Sequence, residues 1–216
     1  MYNLCLGFLR KDRYQVYANY IVKFLDAYKS NGIDVWAVST GNEPLNAYVP
    51  FDRLNTMGWT PDTLADWVAN YAGPTLAAST HNGTKILVLD DQRIELPWFV
   101  NKVFKDKTAK KYIVGTAVHW YTDSFAPPIL LDLTHYGYPD KFILMTEACT
   151  GKIFKYHISV TITEQFKTTF AFSNNCYETS LHIKSKSLLF KYTYTYIELF
   201  IRKKVSNDFN WISRST

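Results

Sequence analysis

Between Tyr14 and Thr146 the chain alternates short apolar runs with stretches of helical period, and this alternation is what most narrows the folds open to it. Tyr14, Tyr17, Ile21, Phe24 and Tyr28 recur at helical spacing, and Asn31-Gly32 supplies a stop. A strand is predicted over 33–39. Thr60-Pro61-Asp62 has the form of a helix start, and Leu64, Trp67, Val68 and Tyr71 then share one apolar face. Further strands are predicted at 85–89, 113–118 and 142–146, with helices over 97–110 and 129–135 between them. Strands that alternate with helices read as parallel strands joined by crossover helices, hence an α/β sheet or barrel. Four strands in roughly 150 residues is part of a (β/α)₈ barrel, which typically takes about 250 residues.

In such a barrel the chemistry sits where strands end, at the C-terminal face. Each predicted strand here is followed by a polar cluster: Asn42-Glu43, then Asp90-Asp91-Gln92-Arg93, then His119-Trp120-Tyr121, then Glu147. The repetition argues for one shared site. Glu43 and Glu147 each close an apolar run, Val35-Trp36-Ala37-Val38 and Phe142-Ile143-Leu144-Met145, and together they supply the two carboxyl groups that glycoside hydrolysis requires. The alternative for each glutamate is a solvated or structural acid at a strand end. His119, Trp120 and Tyr121 offer hydrogen-bonding groups and an aromatic surface suited to a sugar, and Tyr121 is placed to orient Glu147. Asp90 and Arg93, opposite charges in one short stretch, read as a buried ion-pair network bracing the barrel rim. Cys149, two residues past Glu147, reads either as a pocket residue or as a small buried thiol.

Composition divides the chain at Gly151. All nine glycines and all eight prolines lie at or before that residue. Residues 1–151 carry 14 Lys and Arg against 15 Asp and Glu, whereas 152–216 carry 10 against 4, so the net charge of +5 belongs to the tail. Folded segments of that length normally need Gly and Pro at their turns. The tail is therefore expected to be disordered and unrelated to the barrel part, as translated non-coding sequence would be. A basic nucleic-acid or membrane arm, with aromatics interleaved among cations, is the alternative, but the charges neither cluster nor keep a helical period, and no nucleic-acid partner is expected. The domain reading is an N-terminal extension over 1–12, a partial barrel over 13–151 and the tail over 152–216.

Several classes of function are excluded by what the motifs lack. No glycine-rich phosphate loop, HExxH element or Ser-His-Asp signature is present, and the three cysteines, Cys5, Cys149 and Cys176, are too scattered for a paired metal site or a disulfide framework. No cofactor and no metal are expected. The opening residues carry no signal-peptide pattern, and no apolar stretch has the length of a spanning helix. Asn82-Gly83-Thr84 is an N-glycosylation acceptor pattern at Asn82.

From about Tyr14 to Gly151 the chain resembles the lysosomal glucosylceramidases, the acid β-glucosidases of glycoside hydrolase family 30. The resemblance is carried by residues 22–28, Trp36-Ala37-Val38, Asn42-Glu43-Pro44, Gly73-Pro74-Thr75-Leu76-Ala77, Leu89-Asp90-Asp91-Gln92-Arg93, Ala117-Val118-His119-Trp120-Tyr121 and Glu147-Ala148-Cys149. It implies a partial TIM barrel, about strands four to seven, and a retaining β-glucosidase that releases glucose from glucosylceramide. It further implies Glu43 as acid/base, Glu147 as nucleophile, Asn42 as partner of the sugar 2-hydroxyl, and Gln92, His119, Trp120 and Tyr121 as pocket residues. Lysosomal location, a glycosphingolipid substrate held at a membrane surface and an activator protein follow from the same source. Because the resemblance covers only part of a barrel, the chain alone is expected to show little or no activity and to aggregate through open strand edges. The competing reading is a catalytically inactive fragment that binds sugar or lipid.

Overall fold

The computed structural model describes residues 7–49, 56–147, 187–194 and 197–204. Strand β1 (Gly7–Phe8) precedes helix α1 (Tyr14–Ser30), and strand β2 (Val35–Ser39) follows at the Asn31-Gly32 stop. A 3-10 turn over Pro44–Tyr48 leads to β3 (Met57–Gly58), which pairs in parallel with β1. Helix α2 (Pro61–Trp67) starts on a Thr60 capping box, in which the Thr60 and Thr63 side chains each accept the other's backbone N–H. A π-helical turn over Val68–Ala72 joins it to α3 (Gly73–Ala77). The widening falls just before Pro74, which has no N–H to give to the turn before it.

Strand β4 (Lys85–Gln92) comes next and runs three residues past its predicted end. The helix predicted over 97–110 is two helices, α4 (Trp98–Val103) and α5 (Lys107–Tyr112). Asp106 explains the break: its carboxylate accepts the N–H groups of Thr108 and Ala109 at 2.8 and 2.9 Å and so starts a new helix. Strand β5 (Ile113–His119), helix α6 (Ile129–Gly137) and strand β6 (Phe142–Glu147) complete the predicted alternation.

The main sheet has the order β6-β5-β4-β2, all parallel, with helices against one face. Beyond Gly151, where the sequence suggests disorder, the structure describes β7 (Ser187–Tyr194) and β8 (Ile197–Lys204), an antiparallel hairpin with β8 on the free edge of β2. An unpaired edge is a template for any β-forming run, which accounts for this difference. The other tail residues, and Cys149 with them, lie outside the described residues.

The larger core fills the space between sheet and helices. Tyr14, Leu25, Trp59, Leu64, Trp67, Val88, Phe99 and Val103 are all buried there, with Trp59 stacked on Trp67 at 5.2 Å between ring centroids. The indole N–H groups find acceptors: Trp59 donates to the Thr40 carbonyl and Trp67 to that of Tyr14, both at 3.1 Å. A smaller cluster of Ala37, Leu87 and Ala117, flanked by Trp36, Val114, Phe142 and Leu144, forms a second core of buried residues. Among the described residues no helix is long and apolar enough to cross a membrane.

Candidate active site

Parallel pairing brings the four strand ends to one edge of the sheet. Glu43 follows β2, Gln92 ends β4, His119 ends β5, and Glu147 ends β6. The turn after β2 is strained, since Glu43 has φ 45°, a left-handed conformation that a residue with a Cβ adopts only at a cost. Hydrogen bonds hold it there. The Glu43 N–H donates to the Asp90 carbonyl at 2.9 Å, and the Leu45 N–H donates to Asp91 Oδ2 at 3.0 Å.

The Glu43 carboxylate is buried and accepts from three side chains. Gln92 Nε2 and His119 Nδ1 reach Oε1 at 2.7 and 2.9 Å, and Asn46 Nδ2 reaches Oε2 at 2.6 Å. Glu147, half-buried, accepts from the Tyr121 hydroxyl at 2.8 Å. A carboxylate oxygen of Glu43, one of Glu147 and a ring nitrogen of His119 all lie within 4.8 Å of one another. These are donor types that bind cations, but both nitrogens of His119 face carboxylates, Nδ1 toward Glu43 and Nε2 toward Asp90 at 3.2 Å.

Electrostatics follow from burial. Burial of the His119 ring favours its neutral form, but hydrogen bonds to Asp90 and Glu43, with the charges of Asp90 and Glu147, overcome that and push its pKa up to about 10. Burial also pushes the Asp91 carboxyl up to about 7, against the hydrogen bonds it accepts from the Leu45 and Gln92 N–H groups.

Five sequence-expected residues meet in this cluster: Glu43, Gln92, His119, Tyr121 and Glu147. Asn42 is half-buried beside them, and its Oδ1, like Gln92 Oε1, has no hydrogen-bond partner among the described residues. Such buried acceptors ask for a ligand or water. Trp120 is 7% exposed whereas Tyr121 is 38% exposed, so only the tyrosine of that pair presents much surface. Asn82 lies in an exposed turn between α3 and β4, away from the cluster. The ion-pair reading of residues 90–93 is corrected in part. Arg93 pairs with buried Asp123 at 3.1 Å, a bracing contact, while Asp90 faces His119 and Thr146 at the site. The sequence reading missed Asn46 and Thr146. Asn46 sits three residues after Glu43 in the 3-10 turn, a spacing that returns its side chain to the carboxylate.

Residues 5–175 match the glycosyl hydrolase family 30 TIM-barrel domain. The chain belongs to that family. The match takes in residues on both sides of the 13–151 span read from the sequence. Among curated relatives, putative glucosylceramidase 3 of Caenorhabditis elegans is 42% identical over 148 residues, 67% of this chain and 28% of the relative. Lysosomal acid glucosylceramidase of Mus musculus is 42% identical over 142 residues, 65% of this chain and 27% of the relative. The chain thus spans little more than a quarter of these glucosylceramidases. Among solved structures, the endo-beta1,6-glucanase BT3312 superposes with a TM-score of 0.59 at 32% identity, covering 68% of this family 30 chain and 32% of the glucanase.

Proposed function

We propose that the chain carries the acid/base and the nucleophile of a retaining β-glucosidase acting on glucosylceramide, with Glu43 and Glu147 in those roles. The observation that carries this reading is the approach of the two carboxylates to within 4.8 Å. Retaining glycosidases hold their carboxyl groups about 5–5.5 Å apart, whereas inverting enzymes leave about 6.5–9.5 Å to admit a water.

In the first step Glu147 attacks the anomeric carbon while Glu43 gives its proton to the departing glycosidic oxygen. In the second, Glu43 takes a proton from water, which attacks the same carbon and releases the sugar from Glu147. The Tyr121 hydroxyl fixes the face that Glu147 presents. Asn42 and Gln92, with acceptors left unpartnered among the described residues, are suited to sugar hydroxyls, Asn42 to the 2-hydroxyl. The glucosylceramide substrate is supported by the names of the worm and mouse relatives. Lysosomal location, a lipid substrate presented at a membrane surface and an activator protein belong to the same proposal.

Four parallel strands flank the site among the described residues, and a closed barrel of this type uses eight. The 216-residue chain by itself is therefore expected to turn over a fluorogenic β-glucoside slowly or not at all. Measurable turnover should release β-glucose first and vanish in Glu43→Gln and Glu147→Gln. Rapid turnover sinks the inactivity, α-glucose as first product sinks retention, and turnover that survives both substitutions sinks the assignment of the pair.

A further inference from the structure

Near their C-terminal ends, strands β4 and β6 each insert one extra residue opposite β5, which runs between them. Leu89 pairs with Ala117 and Asp91 with Val118, which leaves Asp90 as the extra residue of β4. Val118 pairs with Met145 and His119 with Glu147, which leaves Thr146 as the extra residue of β6. Leu89 and Asp90 have φ 73° and 53°, so the first bulge is held in left-handed backbone by two residues that carry a Cβ. Bulges re-aim side chains and interrupt the backbone ladder. Beyond the bulges the pairing runs on to Gln92–His119 and to His119–Glu147, so each bulge changes which residue reaches the site.

A side-chain contact ties the two bulges together. The two extra residues meet: Thr146 Oγ1 donates to Asp90 Oδ1 at 2.6 Å. The same oxygen is 3.2 Å from His119 Nε2, whose other nitrogen meets Glu43 at 2.9 Å. Asp90 also accepts the Glu43 N–H on its backbone carbonyl at 2.9 Å. On the other side, Thr146 is the chain neighbour of Glu147. Asp90, His119 and Thr146 are all buried, so water does not compete for these bonds.

We propose that Asp90 is a positioning residue that sets the separation of the two carboxylates, one of its oxygens clasping both the histidine that holds Glu43 and the threonine that precedes Glu147. It deepens the reading of the pair as a glycosidase's and rests on it for its purpose. Asp90 is fully buried and acts through its contacts with His119 and Thr146.

The test uses the full 216-residue chain with Asp90→Asn, Thr146→Val and Thr146→Ser. The first readout is the side-chain nitrogen NMR spectrum of the histidines, with His119 identified by its loss in His119→Gln. It needs no turnover. In the parent chain the ring should show N–H protons on both nitrogens at neutral pH. Asp90→Asn should abolish that signature, Thr146→Val should shift it, and Thr146→Ser, which keeps the hydroxyl, should restore the parent spectrum. The second readout is β-glucoside hydrolysis wherever the parent turns over. Displacing a catalytic group by about 1 Å costs about a hundredfold, so kcat should fall about ten- to a hundredfold in Asp90→Asn and Thr146→Val, with KM changed by less than about threefold. His119 signals that stay in place in both variants overturn the proposal whether or not the chain is active, and so does a kcat that both leave intact. Should Asp90→Asn fail to fold, Thr146→Val decides. Turnover that survives Glu43→Gln and Glu147→Gln instead overturns the assignment of the catalytic pair and leaves the histidine spectrum to judge Asp90.

Discussion

His119 should make the fold lose stability in alkali, and the size of the loss follows from its surroundings. Its side chain is fully buried between Asp90 and Glu43, and its pKa in the folded chain stands at about 10 against 6.5 for a free histidine. The folded state therefore holds a proton that the unfolded state releases. A raised pKa of this kind contributes stability that is whole below about pH 6.5 and is lost as pH climbs toward about 10. The slope cannot exceed about 1.4 kcal/mol per pH unit, so from about pH 7 to about pH 9 the loss should reach at most about 2.7 kcal/mol. Asp91, with its carboxyl raised to about 7, acts in the same direction but spends its effect between about pH 4 and 7, which leaves the alkaline window to His119. Urea denaturation of the parent and of His119→Gln across that window isolates the difference. The parent should lose between about 1 and 2.7 kcal/mol more than the variant, a large share of the roughly 5–15 kcal/mol that domains possess. Parallel losses in the two proteins would refute the charged histidine.

Other outcomes follow from single contacts. A Cβ at Gly115 stands 2.7 Å from the Phe142 ring and 2.8 Å from the Phe142 carbonyl, so Gly115→Ala should destabilise the β5–β6 pairing by about 1–3 kcal/mol in thermal or urea unfolding. Tyr121→Phe removes one hydrogen bond to Glu147 at a partly exposed position; in any context that turns over, kcat should drop about five- to tenfold, near 1 kcal/mol, with KM unchanged. Asn82 lies in an exposed turn, so the chain directed into a eukaryotic secretory pathway should gain one enzymatically removable glycan, absent from Asn82→Gln by mass spectrometry.

Much of this was legible one segment at a time. Helical spacing from Tyr14 onward and the apolar runs before Glu43, His119 and Glu147 correspond to α1, β2, β5 and β6, because side-chain period and strand ends are properties of a few neighbouring residues. The convergence of Glu43, Gln92, His119, Tyr121 and Glu147 was readable as well, since parallel strands joined by crossover helices put all their C-terminal ends on one edge. The split between α4 and α5 turned on a single cap, Asp106, inside an otherwise continuous helical pattern.

Pairing between strands decided the rest. A bulge exists only as a mismatch of one residue between neighbours, so nothing in the local sequence marks Asp90 or Thr146 as the residue left over. Asp90 and Arg93 read as partners because they are close in sequence; in three dimensions Arg93 turns to Asp123 and Asp90 to His119 and Thr146, 29 and 56 residues away. The sequence by itself determined which side chains arrive at the strand ends, through short-range periodicity. Only the tertiary structure decided how far apart the two carboxylates stand and which charges their neighbours bear, because both depend on burial and on contacts between strands distant in the chain.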